Sequence, residues 1–131
     1  MILSDIPAKF FELLPVPVIV TLPQEGNANA EIVYVNQHFV DELGWQLSDI
    51  PDKYTWWVKA YPDPDYQKVV ERQWELVVSD AKELSETLVS IDVNIATKSQ
   101  ATKRFRVSSF LSEKLCPGYN VVVLTRLPNT Q

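Results

Sequence analysis

Cysteine, histidine and glycine are scarce in this chain of 131 residues, which holds one, one and three of them. The single cysteine, Cys116, excludes an internal disulfide and any metal site built from several thiolates, and it agrees with a reducing compartment. Three glycines cannot form a loop that cradles phosphate. The only histidine, His38, has no serine and acid in an arrangement that points to nucleophilic catalysis, so no catalytic or metal-ligating set is expected. Positive charge is also short: 12 Lys and Arg against 17 Asp and Glu give a net charge of −5, a field that repels polyanions. The one basic cluster, Lys98 with Lys103, Arg104 and Arg106, falls in a strand pair without interleaved stacking aromatics. It reads as a solvated sheet edge, and no nucleic-acid partner is expected. No apolar run approaches the ~20 residues of a transmembrane helix. No cluster of Lys or Arg precedes an apolar run at the N-terminus, so the expectation is a cytoplasmic protein with no membrane partner.

What the chain does have is a segment that changes period in its middle. Ile32-Val33-Tyr34-Val35 is a β-branched and aromatic run suited to a buried strand. Asn36 can then accept a hydrogen bond from a free amide of a first helical turn. Phe39, Val40 and Leu43 share a face of the short helix that follows, and Gly44 supplies the left-handed residue that closes it.

Around this segment the pattern is legible in order. Ser4 can cap a helix running to about Leu14, with Ile6, Phe10, Leu13 and Leu14 on one side and Phe11 widening the stripe. So short a helix needs a surface to pack on, either the rest of the chain or a second copy. Pro15 and Pro17 stop it. Val18 to Leu22 is a strand, paired with Ile32–Val35 as a hairpin whose loop, Pro23 to Ala30, is long and polar. Ser48-Asp49-Ile50-Pro51 makes at most one turn, and Thr55 can cap a helix from Trp56 to Tyr61. Asp63-Pro64-Asp65 combines a capping carboxylate, a proline at the first helical position and an acid near the positive end of the dipole. That accounts for the acid pair without metal or acid–base chemistry. The helix it starts is the longest, with Tyr66, Val69, Val70, Trp74, Val77, Val78 and Ala81 recurring at helical spacing.

From Leu88 the period is two: Val89, Ile91, Val93 and Ile95 alternate with Ser90, Asp92 and Asn94, as in an edge strand with one dry face. The next turn, Thr97 to Ala101, lacks the glycine it would favour. Phe105, Val107 and Leu111 line the inner side of a second strand, with Ser109 among them. In the last strand, Tyr119 to Leu127, Val121 and Val123 point one way while Val122 and Leu124 point the other. A strand apolar on both faces belongs in the middle of a sheet and needs two covers, of which the N-terminal helix is the available second.

Tyr34-Val35-Asn36-Gln37-His38-Phe39, then Leu43-Gly44-Trp45 and Asp49-Ile50, resemble the Y-V-N-x-x-F … L-G-Y/W … E/D-L/I signature of PAS domains. Pro62-Asp63 before a long helix resembles that family's H-P-D-D step, with Tyr61 where His is usual. The resemblance runs from about Val16 to Leu127. It implies an α+β fold, a five-stranded antiparallel sheet of order 2-1-5-4-3 with short helices and one long helix on one face. The N-terminal helix then lies on the other face or at a dimer interface. The domain division expected is a helical segment over 1–15, a PAS domain over 16–128 and a tail over 129–131.

The same resemblance implies a non-catalytic sensory or regulatory domain of bacterial signal transduction, such as two-component systems. It would sense a small molecule or mediate dimerisation upstream of an output domain such as a histidine kinase or diguanylate cyclase. Leu124-Thr125-Arg126-Leu127-Pro128 stands where family members often carry a D-I-T motif leading into a signalling helix. Haem is disfavoured, because the family's axial histidine lies on the long helix and Tyr66 to Ala81 has none. A covalently reacting flavin is disfavoured because Cys116 lies before the final strand rather than in the helical half. No cofactor is expected, and a small metabolite is the ligand left open. Candidate lining residues for its pocket are Tyr34, Phe39, Trp56, Val70, Trp74, Asn94 and Ser109. The competing expectation is that Trp45 and Trp74 fill the core while Trp56 or Trp57 closes one end. A homodimer would use Phe10, Phe11, Leu13, Leu14 and Phe110, and one alternative is a stand-alone interaction module of this kind with a filled core. A distant alternative is a small cone-fold enzyme using Asp92 as a buried base, which the alternation opposes by turning Asp92 outward.

Overall fold

The computed structural model describes residues 5–110 and 118–128, with the side chains of residues 5–7 and 28 excepted. The elements in chain order are helix α1 (Asp5–Leu13), strands β1 (Val18–Gln24) and β2 (Asn27–Val35), helix α2 (Gln37–Leu43), a 3-10 turn (Leu47–Asp49), helices α3 (Lys53–Ala60) and α4 (Pro64–Glu83), and strands β3 (Leu88–Ala96), β4 (Thr102–Phe110) and β5 (Asn120–Arg126). All strand pairs are antiparallel, in the order β2-β1-β5-β4-β3, which places the doubly apolar last strand at the centre.

The two faces of the sheet carry separate apolar clusters. On the inner face Ile19, Ile32, Ile91, Val93, Ile95, Phe105 and Leu124 pack against Phe39, Leu43, Trp56, Ala60, Tyr61 and Val70 from α2, α3 and α4. On the outer face α1 lays Phe11 over Val18, Val20, Tyr119 and Val121. That second cover turns differently from the expected stripe. Phe11 is 1% exposed, whereas Phe10 is 48% and Leu13 80% exposed. Apolar side chains occupy most of α1's circumference, so their pattern does not select a face. Tertiary hydrogen bonds select it. The Tyr34 hydroxyl donates to the Glu12 carboxylate, with the Ala8 carbonyl 3.3 Å away, and the other Glu12 oxygen accepts from the Gln37 amide.

Asn36 joins three elements. Its Oδ1 accepts from the Phe39 amide at 3.0 Å, which caps α2, and from the Val18 amide at 2.9 Å; its Nδ2 donates to the carbonyls of Phe11 and Val16. The carboxamide's two acceptor sites and two donors are all filled in a group that is fully buried. Gly44 ends α2 at φ +81, and a Cβ there would lie 2.9 Å from the Lys98 Cβ. Asp63 caps α4 through the Asp65 amide. At α3 the cap is Asp52 rather than Thr55: Asp52 Oδ1 accepts from the Thr55 amide at 2.8 Å, so the helix begins three residues early.

The β1–β2 hairpin has no long loop. Pairing continues to Gln24↔Asn27, and Gly26 at φ +75 sits in the tight turn. The expected polar loop is strand because neighbouring elements use its side chains; Asn29 Oδ1, for example, accepts from the Tyr54 amide. The pairing slips by one residue between Val20↔Tyr34 and Thr21↔Ile32, leaving Val33 as a bulge. In the β3–β4 turn, Gln100 takes the left-handed conformation, φ 72, that glycine would have supplied.

Cross-strand pairs on the outer face of β3 and β4 engage Arg104 and Arg106 of the basic cluster. Ser90 bonds Ser108 at 2.8 Å, Arg106 donates to both Asp92 oxygens, and Arg104 donates to Asn94. Both sheet edges receive partners from outside the sheet. The Ile32 amide donates to the Pro51 carbonyl, beside a bridge between Glu31 and Asp52, and the Asn94 amide donates to the Tyr66 hydroxyl at 2.9 Å. Leu111, Cys116 and Ser4 lie outside the described residues. No helix of the described residues is long and apolar enough to cross a membrane.

Candidate functional site: a cavity under the sheet

A cavity of about 210 Å³ lies between the inner face of the sheet and α3–α4. Its floor is the strands: Ile19 and Thr21 from β1, Ala30 and Ile32 from β2, Ile91 from β3, Val107 and Ser109 from β4, and Asn120, Val122 and Leu124 from β5. Its roof is Trp56, Trp57 and Tyr61 from α3 and its C-terminus, with Trp74 from α4. These residues meet because strand alternation sends every second side chain inward, and because α3 and α4 present their aromatic side to that face. The Trp57 and Tyr61 rings stand edge to face at 5.3 Å.

Polar character is concentrated at one end. Thr21, Pro23, Asn27 and Asn120 come from the neighbouring ends of β1, β2 and β5, and Pro23, Asn27 and Asn120 are exposed, so the cavity opens there. Lys53, first residue of α3, completes the wall. Its ammonium lies 5.7 Å from the centroid of the Trp57 ring. Deeper inside, the Ser109 hydroxyl donates to the Val121 carbonyl at 3.2 Å and keeps acceptor capacity. Burial, with Tyr66 alongside, holds the Tyr61 phenol well above its usual range, so it remains a neutral O–H. Lys53, Trp57 and Trp74 also line a groove on the outside of α3 and α4 that carries Glu71 and Glu75, so one wall separates groove and cavity.

The residues expected to line a pocket are dispersed. Trp56, Trp74 and Ser109 surround the cavity. Phe39 and Val70 lie in the filled core beside it, both fully buried, with Phe39 5.4 Å from Trp56. Tyr34 is on the opposite face, because the Val33 bulge turns Val33 and Tyr34 both toward α1. The Tyr34 phenol is pushed up by burial first and by the Glu12 carboxylate second. Asn94 is exposed and bonded to Arg104. The tryptophans do not divide as expected: Trp56 is the buried one, at 7% exposure, while Trp45, Trp57 and Trp74 are all half-buried against the core. Trp45 reaches the Ala96 carbonyl through its indole N–H.

The candidate lining left out Lys53, Trp57, Tyr61 and the β1 and β5 contributions. Ile19, Val122 and Leu124 could have been found by alternation from the face opposite α1. Lys53 carries no such signal. Asp92, the candidate base of the enzyme alternative, points outward, and the Arg106 guanidinium holds its carboxyl below the usual range. His38 is exposed. Among the proposed dimer residues Phe10, Leu13 and Phe110 are exposed, Leu14 is packed against the outer cluster, and Phe11 is consumed within the chain.

The sequence matches no protein-family model and no curated protein. The architecture has many counterparts among solved structures. A LOV protein from Rhodobacter sphaeroides superposes with a TM-score of 0.64 at 12% identity, over 95% of this chain and 67% of that one. The PAS domain of a LuxR-family transcriptional regulator from Burkholderia thailandensis, solved in complex with ethanol, gives 0.63 at 15% identity over 95% and 97%. The PAS domain of an HTR-like protein from Haloarcula marismortui gives 0.60 at 18% identity over 95% and 91%. Strand order, helix placement and these superpositions agree that the chain has the PAS fold.

Proposed function

We propose that the chain is a non-catalytic sensory domain that takes a small, mainly apolar molecule into the cavity under its sheet. The observation that carries this reading is the cavity itself, roofed by three indoles and a buried phenol at a site where the fold could have packed solid. Its volume lies below the ~300–1,000 Å³ of sites for drug-sized ligands and above the ~150 Å³ that admits benzene. A metabolite of about ten non-hydrogen atoms fits that range better than a flavin or haem. The structural counterparts from a transcriptional regulator and from a sensor histidine kinase/response regulator of Geobacter sulfurreducens support a regulatory setting.

A route from cavity to output is built into two strands. On β1, Ile19 lines the cavity while Val18 and Val20 hold Phe11 of α1; on β5, Val122 and Leu124 line it while Val121 holds α1. A molecule that fits one packing of these strands better than another shifts α1, and through it an output domain such as a histidine kinase or diguanylate cyclase. Native mass spectrometry of protein purified without added ligand is the test. A stoichiometric additional mass is expected; bare protein that also shows no saturable uptake of small apolar probes would overturn the reading.

Self-association is the second reading, favoured by one observation. Phe10 and Leu13 of α1 and the cross-strand pair Leu88–Phe110 are about half or more exposed, and Leu88 and Phe110 follow inward-facing neighbours onto the outer sheet face. Sedimentation of the Phe10→Asp, Leu13→Asp variant reads it: a dimer that becomes monomer supports the reading, and an unchanged profile removes it.

A further inference from the structure

The cavity has one feature that its aromatic roof does not explain. Among the described residues Lys53 is the only fully charged side chain in its lining, which there holds no carboxylate, although the chain as a whole carries a net charge of −5. Among the described residues Lys53 forms no ion pair, while Lys98, Lys103, Arg106 and Arg126 each do. Its ammonium rests against the Trp57 ring at the cavity wall, half-buried. The rim beside it offers further donors: Asn27 has its Oδ1 committed to the Asn29 amide, which leaves its NH₂ free to donate, and Asn120 is exposed.

We infer that the occupant is a small monocarboxylate with a planar apolar body, the carboxylate at Lys53 and the rim amides and the body between the indoles and the sheet. This rests on the proposed function and specifies its ligand. Three alternatives fit less well on chemistry. A quaternary or primary ammonium would suit an aromatic cage, yet here it would share the cavity with a like charge and meet no carboxylate. A phosphate or dicarboxylate brings two charges to one ammonium and lacks the forked donors of an arginine. A fully neutral molecule gains nothing from the ammonium, for which Glu71 and Glu75 offer carboxylates only on the groove side of the wall. A monoanion matches the single cation, and its carboxylate stays at the open end where desolvation is least.

The experiment is isothermal titration of the full chain with phenylacetate and with its neutral isostere phenylacetamide, repeated on Lys53→Met, which keeps the aliphatic stem. The acid is expected to bind about tenfold more tightly than the amide, a typical advantage of a charge-assisted pair. Lys53→Met should abolish that preference while leaving the amide's affinity within about twofold. Equal affinities of acid and amide, or a preference that survives in Lys53→Met, overturn the inference and leave the cavity reading standing. Failure of both probes to bind overturns the inference; if native mass spectrometry shows no bound molecule either, the proposed function falls with it.

Discussion

Asn36 Oδ1 lies 2.9 Å from the Val18 amide, so the residue that starts α2 also fixes where β1 begins. Its other three hydrogen bonds reach Phe39, Phe11 and Val16, which makes one carboxamide the joint between α1, β1 and α2. Asn36→Ala strands the Val18 amide and the Val16 carbonyl and leaves the Phe11 carbonyl with the Leu14 amide alone, at an expected cost of about 3 kcal/mol. Asn36→Asp keeps both acceptors but faces a carboxylate toward two carbonyls, and should cost no less. Urea midpoints at unchanged slope measure both; a loss under about 1 kcal/mol would mean that water replaces the network.

Gly44→Ala tests the joint between α2 and the β3–β4 hairpin. The backbone is at φ +81 and the new methyl would meet the Lys98 Cβ at 2.9 Å, with the Lys98 amide bonded to the Leu43 carbonyl beneath it. The expected loss is roughly 1–3 kcal/mol, visible as a lower Tm. An unchanged Tm would show that the hairpin moves aside freely.

Acid stability should depend on three carboxylates. Asp49 is held below its usual range by the Gln46 amide and then Lys98, Asp52 by the Thr55 amide, and Asp92 by Arg106. A carboxyl group with a lower pKa folded than unfolded contributes stability above its unfolded value and loses it as pH falls through its folded value. Urea midpoints should therefore decline between about pH 5 and pH 2. Asp52→Asn with Asp92→Asn, which keep the acceptors but cannot ionise, should flatten that decline. An equally steep decline in the double variant assigns it elsewhere.

Ala30→Leu addresses the cavity without touching its polar end. Ala30 is buried on β2 and lines the cavity, so a leucine there fills space rather than displacing a neighbour. Stability should hold or rise by about 0.5–2 kcal/mol, as cavity filling commonly gives. The additional mass expected in native spectra should disappear. A persistent mass with raised stability would place the bound molecule outside this cavity.

How much of this was legible depended on whether the controlling interaction was local. Asn36, Gly44 and Asp63 each make their capping contact within four residues of themselves, and their types announce it. The central position of β5 was also readable, because residues 121–124 are apolar on both faces. What could not be read was set across the fold. The Val33 bulge exists only in the pairing with β1, and it alone moves Tyr34 from the cavity to α1. Asp52 outcompetes Thr55 as a cap in part because Glu31 pairs beside it and Asn29 holds the next amide. The face that α1 buries is chosen by Glu12 and by the Phe11 carbonyl, neither of which an apolar pattern weighs. Lys53 stands in a sequence that explains it as an ordinary surface lysine, and only the empty space beside it says otherwise.

The partners held by the Ile32 and Asn94 amides have a consequence for how copies of the chain can meet. A sheet ends in rows of amides and carbonyls that can template another strand, and partially unfolded chains join through such rows. Here the Pro51 carbonyl takes the Ile32 amide midway along β2, and the Tyr66 hydroxyl takes the Asn94 amide on β3. An incoming strand would first have to dislodge the segment leading into α3 or the first turn of α4. Growth of the sheet is therefore interrupted at both margins, and well-folded copies that associate do so through side chains on a face, an association that weakens with surface substitutions and leaves the ladder intact.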